Sequence, residues 1–260
     1  MKKLILYLTG ISIGLGLFAQ DPPAKNYWTA GTAFTVQKHR WEPGLFSLSR
    51  YGISDHLELA AHPVMLFLLP QVQIKAGWVN HSGFRVATEH GFTYPTIFMQ
   101  LVARKGIGGL ISPELTIPRM LAIYNRVLVS YLPFEDVILT AHAGISFALK
   151  SDPMDKRGTI DLPLVYPRFA VYFNHPEFDL GVDFRGKFAP RFGWIFAVQN
   201  YILSGTVHNY FLENKGDLVY TSQKDHFRLQ AGYRICYGEY PDGQRWHLLP
   251  DIDLIFGIGK

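Results

Sequence analysis

Ten histidines, one cysteine and twenty-one carboxylates are the side chains of this 260-residue chain able to do acid–base, nucleophilic or metal chemistry. Their spacing supplies little of it. No His-Glu-x-x-His occurs, and no two histidines share a predicted strand at ligand spacing, so neither a metal nor another cofactor is expected. Cys236 stands alone, which removes disulfides and multi-cysteine zinc sites. His142 and Ser146 fall on one side of an alternating run, yet four extended residues hold them ~13 Å apart, too far for a base and its nucleophile. His81-Ser82 lies in a turn signal, where a loop role is expected. Asp251 and Asp253, ~7 Å apart on one strand face, have the spacing of an acid and a base. Arg234, expected on the neighbouring strand, neutralises them instead. Lys105-Gly106-Ile107-Gly108-Gly109 lacks the Lys-Ser or Lys-Thr of a phosphate loop and reads as a flexible connection. No catalytic residue is assigned.

What the remaining charges share is a face. From Phe227 to Tyr237, apolar Phe227, Leu229, Ala231, Tyr233, Ile235 and Tyr237 alternate with Arg228, Gln230, Gly232, Arg234 and Cys236, the signature of a strand with two chemically opposite sides. Phe178, Leu180, Val182 and Phe184 oppose Asp179, Asp183 and Arg185 in the same way. So do Ile252, Leu254, Phe256 and Ile258 against Asp251 and Asp253, and Val72, Ile74, Ala76 and Trp78 against Gln73 and Lys75. The polar side is thus predicted to carry Lys75, Arg85, Glu89, Arg168, Asp179, Asp183, Arg185, Arg228, Arg234, Asp251 and Asp253.

Such runs give fourteen candidate strands, near 30–37, 44–51, 55–63, 70–79, 83–91, 95–103, 120–132, 136–149, 164–174, 177–186, 191–200, 206–213, 226–237 and 246–259. Turn signals separate them, among them Gly52-Ile53-Ser54-Asp55, Asn80-His81-Ser82-Gly83, Asn174-His175-Pro176-Glu177 and Pro241-Asp242-Gly243. Longer connections are read near 104–118, 150–163 and 213–225. Tight hairpins fix the expected pairing: Arg168 opposite Asp183, Arg234 opposite Asp251 with Asp253 diagonal, and Gln73 opposite Glu89 with Lys75 diagonal. No linker or repeat divides the chain, so residues 20–260 are read as one domain.

A soluble sandwich alternates too, but its strands average about 5 to 6 residues. Several here run about twice as long, carry aromatics such as Trp78, Phe227 and Tyr237 at their ends, and follow an export signal, as membrane barrels do. Met1-Lys2-Lys3 and the apolar stretch Leu4–Leu17, ending in Ala19, read as a signal peptide over residues 1–19. The glycine pattern Gly14-Leu15-Gly16-Leu17-Phe18-Ala19 belongs to that leader, since no strand precedes it. The net charge of +4, less without Lys2 and Lys3, gives no electrostatic case for nucleic acid. The expectation is a closed antiparallel up-and-down transmembrane β-barrel of 12 to 14 strands, apolar outside and charged inside. The count stays open because the turn at 174–177 falls on the side opposite those at 52–55 and 80–83, whereas short turns should share one side.

Ser49-Arg50-Tyr51-Gly52-Ile53-Ser54-Asp55-His56-Leu57-Glu58-Leu59 resembles the strand, tight turn, strand element of small outer-membrane β-barrel proteins of Bacteroidota. The ending Phe18-Ala19-Gln20 resembles leaders of that group. The resemblance implies a cell outer-membrane barrel whose partners are membrane lipid and the barrel-assembly machinery. It does not extend to the usual aromatic final residue, since the chain ends Phe256-Gly257-Ile258-Gly259-Lys260. Twelve to fourteen strands enclose more room than a filled eight-stranded barrel and less than an open porin. The chain therefore reads as a narrow pore or small-solute transporter with a charged lumen, its ligand unspecified, in which Arg185, Arg228 and Arg234 would favour anions. The alternatives are a structural or adhesive barrel without a pore and an outer-membrane lipid hydrolase, which needs His and Ser together near a rim.

Overall fold

A computed structural model describes residues 28–63, 65–104, 111–155, 157–205, 209–241 and 243–259. The predicted leader and the glycine-rich stretch 105–109 lie outside them. Twelve antiparallel strands pair in sequence order: β1 (Trp41–Glu42), β2 (Ser49–Ser54), β3 (Leu57–Ala61), β4 (Gln71–His81), β5 (Phe84–Thr93), β6 (Met120–Phe134), β7 (Val137–Lys150), β8 (Glu177–Ala189), β9 (Phe192–Leu203), β10 (Tyr210–Thr221), β11 (Phe227–Tyr240) and β12 (Gly243–Phe256). The chain around β1 closes the sheet against the end of β12. Trp41 and Ile258 exchange main-chain hydrogen bonds of 2.7 and 2.8 Å, Phe256 donates to the Pro43 carbonyl at 2.9 Å and Leu45 to that of Leu254 at 2.9 Å. The lower of the two expected strand counts is the observed one.

Alternation in the sequence becomes an inside and an outside. Outward Leu180 keeps 47% of its surface exposed and Tyr233 38%, while Asp183 keeps 8% and Arg228 4%. A wall whose apolar positions point away from the axis is one that acyl chains solvate. Aromatics gather along one rim: Phe84 stacks on Tyr131, and Phe188, Phe192, Tyr220 and Phe227 form a chain of ring contacts at 5.4 to 6.3 Å. The same rim holds the two-residue turns 55–56, 82–83, 135–136 and 190–191, whereas the long connections 62–70, 94–119 and 151–176 leave the other end, together with the short connection 241–242. At 82–83, Ser82 (φ 46°) and Gly83 (φ 83°) both take the left-handed conformation that suits the twist of a two-residue hairpin.

Four candidate elements are corrected. Residues 95–103 form a helix, α1 (Thr96–Val102), whose buried Thr96, Met99 and Val102 recur at helical spacing within an apolar run that reads equally as a strand. Residues 164–174 form α2 (Tyr166–Phe169) and a 3₁₀ turn (Ala170–Tyr172). The turn at 174–177 therefore ends a long connection, and the conflict over sides disappears. Residues 30–37 are not a wall strand but cross the interior. Lastly, β10 continues to Thr221 through a stretch expected to be loop.

Register departs from expectation by steps of two residues, which preserves the faces. Arg234 lies opposite Leu249 and diagonal to Asp251. The β4–β5 hairpin turns on Ser82-Gly83, with His81 opposite Phe84, and a one-residue irregularity between Gly77 and Val79 then sets Gln73 opposite Gly91 and Lys75 directly opposite Glu89. Arg168, being on α2, does not pair with Asp183, whose strand β8 pairs with β7 instead.

Candidate lumen site

The interior holds three layers. Toward the long-connection end, α1, α2 and the 3₁₀ turn lie among inward side chains of the wall. Met99, Val102, Phe169 and Tyr172 pack with Met120, Ala122 and Ala148. Tyr166 and Ala170 pack with Tyr201, Leu203, Phe211 and Tyr240. Polar tips in this layer find main-chain acceptors: the Tyr172 hydroxyl donates to the Thr93 carbonyl at 3.3 Å and that of Tyr240 to Pro163 at 3.2 Å. Burial, reinforced by the carboxylate of Asp161, pushes the Tyr166 phenol up to about 12.

Toward the short-turn end, residues 28–36 form a strap across the lumen. Its main-chain groups have no ladder to join, so wall side chains satisfy them. The Ala33 N–H donates to Ser130 Oγ at 2.8 Å and the Val36 N–H to Glu58 Oε2 at 2.9 Å. Lys75 Nζ donates to the carbonyls of Thr29 (3.1 Å) and Phe34 (3.0 Å). Gly52 lets the chain at Gln37 pass close, since a Cβ there would collide with the Gln37 carbonyl.

Between the two lies a charged belt built by register. Glu58 pairs with Lys75, Lys75 with Glu89, Glu89 with Arg126, Arg126 with Gly144 and Gly144 with Asp179 across β3 to β8. The charges in this row alternate in sign. Lys75 lies 3.3 Å from Glu58 and 3.8 Å from Glu89, Arg50 3.2 Å from Glu58, and Arg126 3.8 Å from Glu89 and 2.7 Å from Asp179. Gly144 makes the last contact possible: a Cβ there would occupy the space of the Asp179 carboxylate. A second network joins Arg168 to Glu213 by paired bonds of 2.6 and 3.0 Å, then Arg234 to Glu213 (3.3 Å) and Asp251 (3.0 Å). Lys215 completes it, 3.2 Å from Asp251 and 2.8 Å from Asp217.

The other predicted residues are placed as follows. Arg185 bonds Asp183 through two nitrogens, each at 2.7 Å. Arg85 lies over the ring of Phe34 in the strap. Asp251 is neutralised, as the register argument requires, by Arg234 and additionally by Lys215. Asp253 does not join it, accepting instead the main-chain N–H groups of Phe46 (3.0 Å) and Leu254 (2.9 Å) at the closure seam. Arg228 lies beside Trp28, and Cys236 is a free, fully buried thiol. Sequence reasoning missed Arg50, Glu58, Arg126, Glu213, Lys215 and Asp217, although each occupies the polar parity of its strand. They add three cations and three carboxylates, so they extend the ion-pair networks and leave the small basic excess of the lumen as it was. Among the described residues no group of three His, Cys, Asp or Glu side chains could hold a metal ion.

This barrel is a known fold. An outer-membrane channel from Pseudomonas putida F1 superposes with a TM-score of 0.55 at 6% identity, covering 89% of this chain and all of the channel. A bacterial polysaccharide outer-membrane secretin matches with a TM-score of 0.48 at 10% identity over 86% of this chain and 77% of its own. The outer-membrane channel DcaP of Acinetobacter baumannii matches at 0.39, with 10% identity over 81% and 62%. No protein-family model matches the sequence, and no curated protein does. At 6% identity the Pseudomonas likeness carries the architecture and leaves lumen chemistry to this chain's own residues.

Proposed function

We propose that the protein is a narrow outer-membrane channel for small polar solutes, held closed in its resting state by the strap on one side and the loop helices on the other. The observation that carries this is the belt of sign-alternating ion pairs facing the interior of a barrel whose exterior is apolar. A barrel needing only stability gains little from such a belt, since buried ion pairs at best roughly offset their own desolvation. A passage for polar solutes needs it. The shared architecture with the Pseudomonas channel supports the reading, as does the resemblance of Ser49–Leu59 to outer-membrane barrels. The short turns would then face the periplasm and the long connections the exterior.

Planar-bilayer conductance tests the proposal. The wild type is expected to show small, infrequent openings, and Lys75→Met, which frees the strap carbonyls of Thr29 and Phe34, to open more often and more widely. A second reading, a structural barrel without a pore, is favoured by the obstruction of both ends. Silence from both proteins across the voltage range would establish it in place of the channel.

A further inference from the structure

The wall arginines of the two ion-pair networks all have carboxylate partners. Arg228, near the short-turn rim on β11, departs from this pattern. It is 4% exposed, and its Nε has no hydrogen-bond partner. The carboxylates that act on it most strongly are Asp183, Glu42 and Asp217, and each is already held: Asp183 by Arg185 at 2.7 Å, Glu42 by Arg40 at 3.0 Å and Asp217 by Lys215 at 2.8 Å. Among the described residues none comes within 4.0 Å of its guanidinium. Arg185, which lines one pocket with it, is a like charge. A buried cation in that setting lacks the compensation that such groups require.

A pocket of about 80 Å³ adjoins it. Arg185 and Arg228 line this space together with Lys187 and Arg191 and the carboxylates Asp136 and Asp225; Trp28 covers it with its ring centroid 5.9 Å from the Arg228 guanidinium carbon, and Ile138 and Val219 supply apolar lining. A guanidinium fork matches the two oxygens of a carboxylate. The tryptophan and the aliphatic residues match a flat or apolar body and offer a hydrated inorganic anion nothing.

We infer that this pocket binds a small organic monocarboxylate, its head between Arg228 and Arg185 and its apolar body against Trp28, Ile138 and Val219. The site needs no open pore. Loss of conductance would leave it intact, and loss of binding would leave the channel reading intact.

Isothermal titration calorimetry on the purified full chain in detergent, at constant ionic strength, tests it with benzoate, benzyl alcohol and inorganic phosphate as probes. Benzoate is expected to bind saturably at one site, with the alcohol and phosphate each weaker by about tenfold or more. Arg228→Gln is expected to weaken benzoate by about tenfold or more, while Arg157→Gln, on an exposed loop, leaves it unchanged. Should Arg228→Gln fail to fold, Arg228→Lys keeps the charge and loses the fork, and the same weakening is expected. Absence of saturable benzoate binding to the wild type, or equal affinity in a folded Arg228 variant, overturns the site. Phosphate binding as tightly as benzoate overturns the organic ligand.

Discussion

Gly144 shows how one missing Cβ organises the lumen. It stands between Arg126 and Asp179 in the register row, and the two groups bond at 2.7 Å across it. Gly144→Ala should displace the Asp179 carboxylate and leave Arg126 partly unpaired, a cost of about 1–3 kcal/mol visible as a lower denaturation midpoint. An unchanged midpoint together with an intact Arg126–Asp179 contact in the variant's structure would refute that account. Tyr166 gives a pH signature. Its phenol is raised to about 12, so the neutral form is favoured on folding, and the associated stability is complete below the ordinary value near 10 and disappears as pH climbs through about 12. The wild-type minus Tyr166→Phe difference in phenolate absorbance should therefore have its midpoint about two pH units above that of an exposed tyrosine. Much of the residue scale was legible beforehand. Parity placed Lys75, Glu89, Asp179, Asp183 and Arg228 on the face that proves buried. Their partners across strands were harder, because a partner depends on register, and register turns on features such as the irregularity after Gly77 that leave no compositional mark.

At the scale of elements, misreadings fell on segments that enter the barrel rather than build it. Residues 30–37, 95–103 and 164–174 are apolar enough to look like strands, yet their apolar side chains serve an interior core instead of lipid. Composition reports burial and is silent on what does the burying. Helix α1 packs through Met99, which is fully buried. Met99→Asp should expel the helix from the lumen without dissolving the wall, whose ladder is held by main-chain bonds. The expected result is faster protease cleavage within 94–119 with the strand circular-dichroism signal kept. Collapse of both together would show that the inserted helix is integral to the barrel. The stretch from Glu213 to Thr221 reads as loop for its Lys, Gly and Asp, all of which are ordinary on a wall facing charged groups.

For the molecule as a whole, the decisive property is the direction of its apolar side chains, and this was the most legible of all because strict alternation cannot be satisfied by one face alone. Val127 lies midway along β6 and is 47% exposed on the outer surface. If lipid surrounds it, Val127→Arg should cost about 2–4 kcal/mol for refolding into phospholipid vesicles. In a water-soluble barrel the same change would be nearly neutral, which makes the substitution a direct probe of the surrounding phase.

Most neighbours in the wall share ten or more residue pairs, but the two-residue β1 shares two pairs with β2 and the circle is completed by isolated bridges, Trp41 to Ile258 and Gly44 to Ile255. A hoop is as strong as its thinnest stave. Lateral tension in a bilayer would be relieved by parting Trp41 from Ile258, and during insertion that same joint would be the last to zip.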